Sequence, residues 1–453
     1  MISSSKTGIA LIAWAGLGAA SVSAAQDAAP VTVKASSAGF SLGSADGAST
    51  IRFRANLAFD GRYFIDNSTP VTADTWVFRN VRPTIEGTLN SIYDYRFTPA
   101  FEGGRTTILE AFVAARFKPW LVFQVGKFKG PVGLERLQSD GDTRFIERGF
   151  PTNLVPNREL GVQLGGDLLG GNLSYAIGYF DGTLDGRNVD NNNGNASPDV
   201  DTDGRRDWEG RLFATPFGGT SVAALRGLGI GIGATYVNSS YLPPTKLVPG
   251  PTNTLLSNYG TAGQQTFFSF RSDNATTPAV NEATYADGRR FRYSPQAYYY
   301  YGHLGVMAEY ARVQQDVSRQ ATATLLRSGR VDLSAWQITG ALLLTGEAET
   351  YRGTLVPARD FQPGKSGWGA WELVARYNHL TVGASAFEDG ANSFANPASA
   401  ARAASAYGVG VNWYLNRNFK WMLDYEHTRF DGGAAKGDRP DEELLVTRFY
   451  LQF

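Results

Sequence analysis

Between Gly126 and Gly161 the chain reads GKFKGPVGLERLQSDGDTRFIERGFPTNLVPNRELG. Lys127, Lys129, Arg136, Arg144, Arg148 and Arg158 are interleaved there with Glu135, Asp140, Asp142, Glu147 and Glu159. Fixed cations at this density attract and orient anions, Arg as a planar fork and Lys as a mobile point charge. Bond-breaking chemistry has no such support. His303, His379 and His427 fall in strand-like segments or at their ends, without a paired catalytic signature, so no enzyme is expected. The chain has no Cys, which removes disulfides and thiolate metal sites. Asp199, Asp201 and Asp203, with Gly204, match the opening of a calcium loop, but its twelfth position is Gly210 and Glu209 stands one place early. A solvated acidic loop is the plainer reading, so neither metal nor cofactor is expected.

The basic stretch is rich in turn residues and lacks a strand period, whereas the segments on either side alternate. It reads as a loop, about 129–158, that leaves a β-barrel wall and folds back into the opening. The wall is legible from Ile51, where Ile51, Phe53, Ala55, Leu57 and Phe59 oppose Arg52, Arg54, Asn56 and Asp60. Period 2 at that length is a long strand with one apolar and one polar face. The pattern recurs: Val81, Ile85 and Leu89 oppose Arg82, Thr84 and Glu86; Tyr93, Tyr95, Phe97 and Phe101 oppose Asp94, Arg96 and Glu102; Leu109, Val113 and Phe117 oppose Glu110 and Arg116. Counting similar segments to the C-terminus predicts an all-β antiparallel transmembrane barrel of about 16 strands. Short turns, such as the one at Asn90 and Ser91, alternate with longer loops.

Composition agrees with a barrel and excludes other classes. The 453 residues include 52 Gly and 13% aromatics, with a mean hydropathy of −0.23, which suits strands whose two faces differ. No segment after the leader offers about 18 consecutive apolar residues, so a helical membrane protein is excluded. Lys6, an apolar run from Gly8 to about Ala20, and small residues through Ala25 form a secretory signal over residues 1–25. The formal charge of the whole chain is +0, and removing Lys6 with the signal leaves the remainder one unit negative. No global field therefore recruits nucleic acid, and any anion preference must come from local arrangement. Residues 26–50 are small and polar and read as a periplasmic lead-in to a barrel over 51–453. Arg187–Arg206 and Asn238–Gly288 read as external loops with no core of their own. Tyr298–Tyr301, Trp368, Trp371, Trp413, Tyr414 and Trp421 read as interface aromatics.

Three blocks of residues resemble the phosphate-selective porin O/P family. They are Arg79-Asn80-Val81-Arg82; Gly126–Pro131 with Gly133-Leu134-Glu135, Phe145–Arg148 and Asn157–Gly161; and Gly369–Glu372 through Arg376-Tyr377 with Asn412–Asn416. The resemblance implies a homotrimeric, 16-stranded bacterial outer-membrane porin, seated in outer-membrane lipid, whose third external loop narrows the pore. It further implies that Arg and Lys guide inorganic anions such as phosphate. By position, Arg79 and Arg82 match the family's paired-Arg segment and Lys129 the Lys of its loop block. Asn80 stands where phosphate-specific members carry an adjacent Arg.

Strand parity places a lumen basic track at Arg52, Arg54, Arg62, Arg82, Arg96, Arg116, Arg211, Arg290, Arg292, Arg376 and Arg448. The same faces carry Asp60, Glu86, Asp94, Glu102, Glu110, Glu209, Glu372, Asp424 and Glu426, so ion pairing across the lumen is expected for most of these arginines. Lys127 and Lys129 share the parity of Leu121, Phe123 and Val125, which face lipid. Either Gly126 hosts a bulge or the chain has left the wall by then, and Pro131 favours departure. The expected constriction residues are Arg79, Arg82, Lys127, Lys129, Arg136, Arg148 and Arg158. Two other functions fit the same barrel: a weakly selective general porin, and an adhesin or structural protein acting through its long loops.

Overall fold

The computed structural model describes residues 31–36, 39–65, 73–102, 106–182, 204–240, 254–272, 282–322 and 324–453. The signal segment 1–25 and the calcium-loop residues Asp199, Asp201 and Asp203 lie outside the described residues.

Alternation along the chain becomes the wall of a closed 16-strand antiparallel barrel. Its first half is β3 (Thr50–Phe64), β4 (Thr75–Leu89), β5 (Tyr93–Ala100), β6 (Thr107–Lys118), β7 (Leu121–Lys129), β8 (Arg158–Leu168), β9 (Leu173–Phe180), β10 (Asp207–Ala214) and β11 (Leu228–Ser240). The second half is β14 (Thr284–Tyr301), β15 (Leu304–Thr322), β16 (Leu325–Leu343), β17 (Ala370–Val382), β18 (Ala401–Tyr414), β19 (Phe419–Gly432) and β20 (Glu442–Gln452). Each pairs with the next, and β20 returns to β3 from Leu444↔Phe64 to Gln452↔Asn56. Closure leaves no unpaired backbone edge in the wall, which is what hydrocarbon demands. Phe53, Leu57, Phe97, Val113, Ile177, Leu212, Ile232, Ile338 and Val409 are exposed on the outside, the apolar belt of a lipid-facing wall.

At one end the connections are short. Asn90 and Ser91 both adopt positive φ in the β4–β5 turn, and Gly302 does so in the β14–β15 turn; the exceptions at this end are the 215–227 and 344–369 segments. At the other end lie the long connections, among them 130–157 and 383–400.

Three sequence expectations change. Residues 32–43 are not a featureless lead-in. β1 (Thr32–Ser36) and β2 (Gly39–Gly43) form a hairpin, and β2 pairs with the part of β3 that runs beyond β20, from Phe40↔Phe53 to Gly43↔Thr50. The 238–288 connection is not coreless: its β12 (Tyr259–Gly260) and β13 (Thr266–Phe268) carry Tyr259, Phe267 and Phe268, all buried with Phe270 against Val313, Val331, Leu380 and Phe394. Lys127 and Lys129 have not left the wall, because the β7–β8 ladder continues through Lys129↔Arg158. Gly126 (φ +128°) bends β7 where an added Cβ would lie 2.2 Å from Ala111 O, and Lys127 and Phe128 beyond it are buried.

The aromatic positions divide between two environments. Trp368 and Tyr301 are exposed, and Trp371 stacks on Trp413 at 5.0 Å. Tyr298 instead stacks on Tyr351 of the 344–369 segment at 4.7 Å, and Tyr414 is buried with its hydroxyl donating to Glu372.

Candidate functional site

The site is made by where the 130–157 loop is tied down. Gly133 (φ +91°) turns the chain into a single helical turn, α1 (Leu134–Leu137). The Leu134 and Glu135 amides, which the helix itself cannot satisfy, donate to Glu309 Oε1 and Oε2 on β15 at 2.7 and 3.2 Å. Further on, Ile146 N donates to Asp424 Oδ2 at 2.7 Å and Phe150 N to Asn378 Oδ1 at 3.1 Å. Lys420 Nζ, Asn412 Nδ2, Arg376 Nη1 and Arg448 Nη1 donate to the carbonyls of Thr143, Arg144, Glu147 and Ile146 at 2.8, 2.9, 2.8 and 2.9 Å. Phe150, Leu154 and Val155 then enter the apolar cluster of the β15–β19 side. Side chains of the lumen wall thus supply the partners that a buried loop needs, and that half of the barrel is filled.

The 344–369 segment meets the loop from the short-turn end. Tyr351 Oη donates to Leu134 O at 2.6 Å, Gln138 Nε2 donates to Tyr351 O at 2.8 Å, and Arg144 lies between Glu349 (2.6 Å) and Glu372 (2.7 Å).

The opposite half stays open. A cavity of about 340 Å³ is bounded on the wall by Arg54, Arg82, Glu86, Arg96, Glu110, Lys129 and Arg158, and on the loop by Leu137, Ser139 and Asp140. A second, of about 210 Å³, shares Lys129, Leu137 and Gln163 and adds Asp167 and Arg211. A third, of about 160 Å³, shares Arg54 and Gln452 and adds Arg52 and Arg417 toward the short-turn end. Linked by these shared residues, the three lie mainly along the β3–β9 side, with Arg211 of β10 and Gln452 of β20 at its margins.

Two bulges and one bend shape this side. Ala58 pairs with Asn80 but Phe59 with Phe78, so Arg79 is the extra residue, and its Nε donates to Glu147 Oε1 at 3.1 Å. Thr98 pairs with Glu110 but Pro99 with Ile108. The extra residue there is Leu109, which lines the cavity instead of lying on the lipid face that its parity predicts. Bulges commonly re-aim side chains next to sites.

Across the open side runs a chain of alternating charges. Arg54 and Arg96 hold Glu86 at 3.1 and 2.8 Å, and Arg96 and Arg158 hold Glu110 at 3.2 and 2.9 Å. Three guanidiniums share two carboxylates, leaving one net positive charge. The Arg54 and Arg96 side chains are 45% and 37% exposed toward the cavity, whereas that of Arg376 is 1% exposed.

Of the expected constriction residues, Arg82, Lys129 and Arg158 line the cavity. Arg82 is held by Glu102 at 2.5 Å and Asp140 at 2.7 Å, and Lys129 Nζ donates to Gln138 O at 2.7 Å. Arg136 turns back into the loop, donating to Thr152 O at 2.9 Å. Arg148 donates to Asp140 Oδ1 at 2.9 Å. Arg79 and Lys127 are outside the cavity lining. Of the expected basic track, Arg54, Arg82 and Arg96 line the first cavity, Arg211 the second, and Arg52 and Arg54 the third. Arg62 pairs with Glu147 at 3.1 Å, Arg116 with Asp94 at 2.5 Å and Arg376 with Glu426 at 2.6 Å. Burial alone would raise Asp140; Arg148, Arg82, Lys129 and Arg158 outweigh it and hold its carboxyl well below the usual 3.8.

Sequence reasoning missed Ser139, Gln163 and Tyr450 as lining residues and Glu309, Asp424 and Tyr351 as clamps. The amides that Glu309 binds are 175 and 174 residues away, a relationship no local pattern encodes. Among the described residues, Glu159, Asp207 and Glu209 bring carboxylate oxygens within 4.8 Å of one another. Arg290 and Arg292 already bond Asp207 at 2.7 and 3.1 Å, so the group is built into an ion-pair network.

A family model described as phosphate-selective porin O and P matches residues 50–206 and 258–453. Among solved structures, the fold is similar to an anion-selective porin from Comamonas acidovorans at 10% identity, over 89% of this chain and 100% of that one, with a TM-score of 0.52. It is similar to the outer membrane channel DcaP of Acinetobacter baumannii at 9% identity, over 89% and 97%, with a TM-score of 0.51. It is also similar to the trimer form of OmpT from Vibrio cholerae at 11% identity, over 90% and 100%, with a TM-score of 0.50. None of the curated proteins matches the chain.

Proposed function

The chain belongs to the phosphate-selective porin O and P family and is an outer-membrane porin; we propose that it conducts small anions, phosphate among them, along the β3–β9 side of its lumen. The observation that carries this reading is the shared-carboxylate chain from Arg54 to Arg158. At an effective dielectric of about 20, a unit charge about 4 Å from an ion is worth about 4 kcal/mol. A carboxylate at the same distance cancels it, so the third guanidinium decides the sign. Along the three cavities eight basic side chains (Arg52, Arg54, Arg82, Arg96, Lys129, Arg158, Arg211 and Arg417) face four acidic ones (Glu86, Glu110, Asp140 and Asp167). Guanidiniums that each give part of their fork to a carboxylate keep further N–H groups for a passing oxyanion. The family's description and the anion-selective Comamonas channel support the same polarity.

In this reading residues 1–25 are the export signal, and the protein assembles as a homotrimer, as the related OmpT structure does. A weakly selective general porin is the second reading. It is favoured by Asn80, which donates to Asp140 Oδ2 at 3.1 Å and adds no charge. The reversal potential of the purified protein in a planar bilayer under a KCl gradient separates the two. The anion reading expects a chloride-favouring potential that weakens near 1 M salt, where the screening length falls to about 3 Å; a potential near zero at low salt supports the general porin.

A further inference from the structure

The best-equipped oxyanion position on the open side is filled by the chain itself. Asp140 Oδ2 accepts from Arg82 Nη1 at 2.7 Å and from Asn80 Nδ2 at 3.1 Å, and its Oδ1 accepts from Arg148 Nη2 at 2.9 Å. Lys129 and Arg158 act on the same carboxylate and line the same cavity. Two forks, an amide donor and two more cations converging on one carboxylate form the donor set that a small oxyanion needs.

We propose that Asp140 is a tethered counter-ion and a specificity-determining residue: a permeating oxyanion binds by displacing its carboxylate from Arg82 and Arg148. This rests on the anion-channel reading above. The local backbone suits an exchange. Ser139 and Asp140 lie outside α1, in a turn closed by Asp142 N donating to Ser139 O at 3.0 Å, and Gly141 follows at once. Displacement also sorts anions. An oxyanion with several acceptor oxygens can satisfy Asn80, Arg82 and Arg148 together, whereas chloride is a single acceptor. An internally filled site exchanges its ligand against a competitor, so binding weakens while release stays fast, as conduction requires.

The test compares Asp140→Asn with Asp94→Asn, which removes the same charge from β5, where Asp94 pairs with Arg116 and lines none of the three cavities. Chloride current through each channel in a planar bilayer is titrated with inorganic phosphate. Asp140→Asn is expected to lower the half-blocking phosphate concentration about tenfold, and Asp94→Asn to leave it within about threefold. Equal shifts in both variants would reduce Asp140 to a contribution to net charge, and no tightening in Asp140→Asn would also overturn the proposal. Asp140→Ser, which keeps an acceptor for Arg148, repeats the measurement if the amide variant fails to insert. The wild-type reversal potential separates the two levels. If it shows no anion preference, the channel reading fails by itself; an Asp140→Asn channel that then becomes anion-selective still supports the counter-ion, and one that does not overturns it.

Discussion

Arg79 and Glu147 are 68 residues apart in the chain and meet at 3.1 Å, because the bulge in β4 turns Arg79 out of its strand's alternation and toward the loop. Glu147 Oε1 also accepts from Arg62 Nη2 at 3.1 Å and Gln264 Nε2 at 2.8 Å. One carboxylate therefore ties the loop to β3, to β4 and to the 254–272 segment.

Replacing Glu147 leaves Arg62 and Arg79 facing each other without their shared acceptor. Stripping one partner from a buried pair costs about 3–5 kcal/mol, enough to let the loop lift. Glu147→Ala is expected to raise single-channel current noise and to lower the thermal unfolding midpoint. A quiet channel of wild-type stability would remove Glu147 from the clamp.

The basic track should divide by exposure. Arg96 lies in the middle of the open-side chain, and Arg96→Gln takes that chain from one net positive charge to none. Its reversal potential should move toward zero. Arg376 is sealed on the filled side between Glu426 and the Glu147 carbonyl, so Arg376→Gln should leave the potential close to wild type while reducing stability. Equal shifts in potential would mean that the conducting path is not confined to the β3–β9 side.

Burial and the neighbouring Glu372 carboxyl push Glu349 up to about 8, against the pull of Arg144. A carboxyl whose folded pKa lies above its ordinary value of 4.5 keeps a proton that the unfolded chain has lost. Its contribution to stability therefore falls as pH rises from 4.5 to 8 and is level above that. Thermal unfolding from pH 5 to 9 should show wild type losing stability relative to Glu349→Gln up to about pH 8, then running parallel. Parallel curves throughout would mean that Glu349 carries no extra proton.

At Gly126 a side chain meets both a positive φ and the Ala111 carbonyl. Gly126→Ala should cost about 1–3 kcal/mol and displace Lys129 from the cavity, seen as a lower unfolding midpoint together with a weaker anion preference. An unaltered channel would mean that β7 relaxes at no cost.

Much of the wall was legible because a strand with lipid on one face and water on the other must alternate. Reading failed where the backbone broke that period. The bulge at Arg79 hid Trp76 and Phe78 from the pattern, so β4 was expected from about 81 and begins at Thr75. The bulge at Leu109 reversed that residue's face, and β7 bends at Gly126 and continues to Lys129 where Pro131 favoured departure from the wall. Within the site, parity located Arg54, Arg82 and Arg96, and the basic loop stretch drew attention to Lys129 and Arg158. Which half of the lumen is filled could not be read. It depends on Glu309, Asp424 and Asn378 meeting loop amides, and on Phe267 and Phe268 entering from a stretch whose composition looked like solvent loop.

Because the chain has no Cys, one introduced thiol reports on the path without interference. Ser139 is exposed on the loop side of the 340 Å³ cavity. Current through the Ser139→Cys variant should fall on addition of a methanethiosulfonate reagent, and faster with a sulfonate headgroup than with a trimethylammonium one, because the reagent must travel with the anions. Current indifferent to both reagents, or the cationic one reacting faster, would contradict an anion path between the loop and the β3–β9 wall.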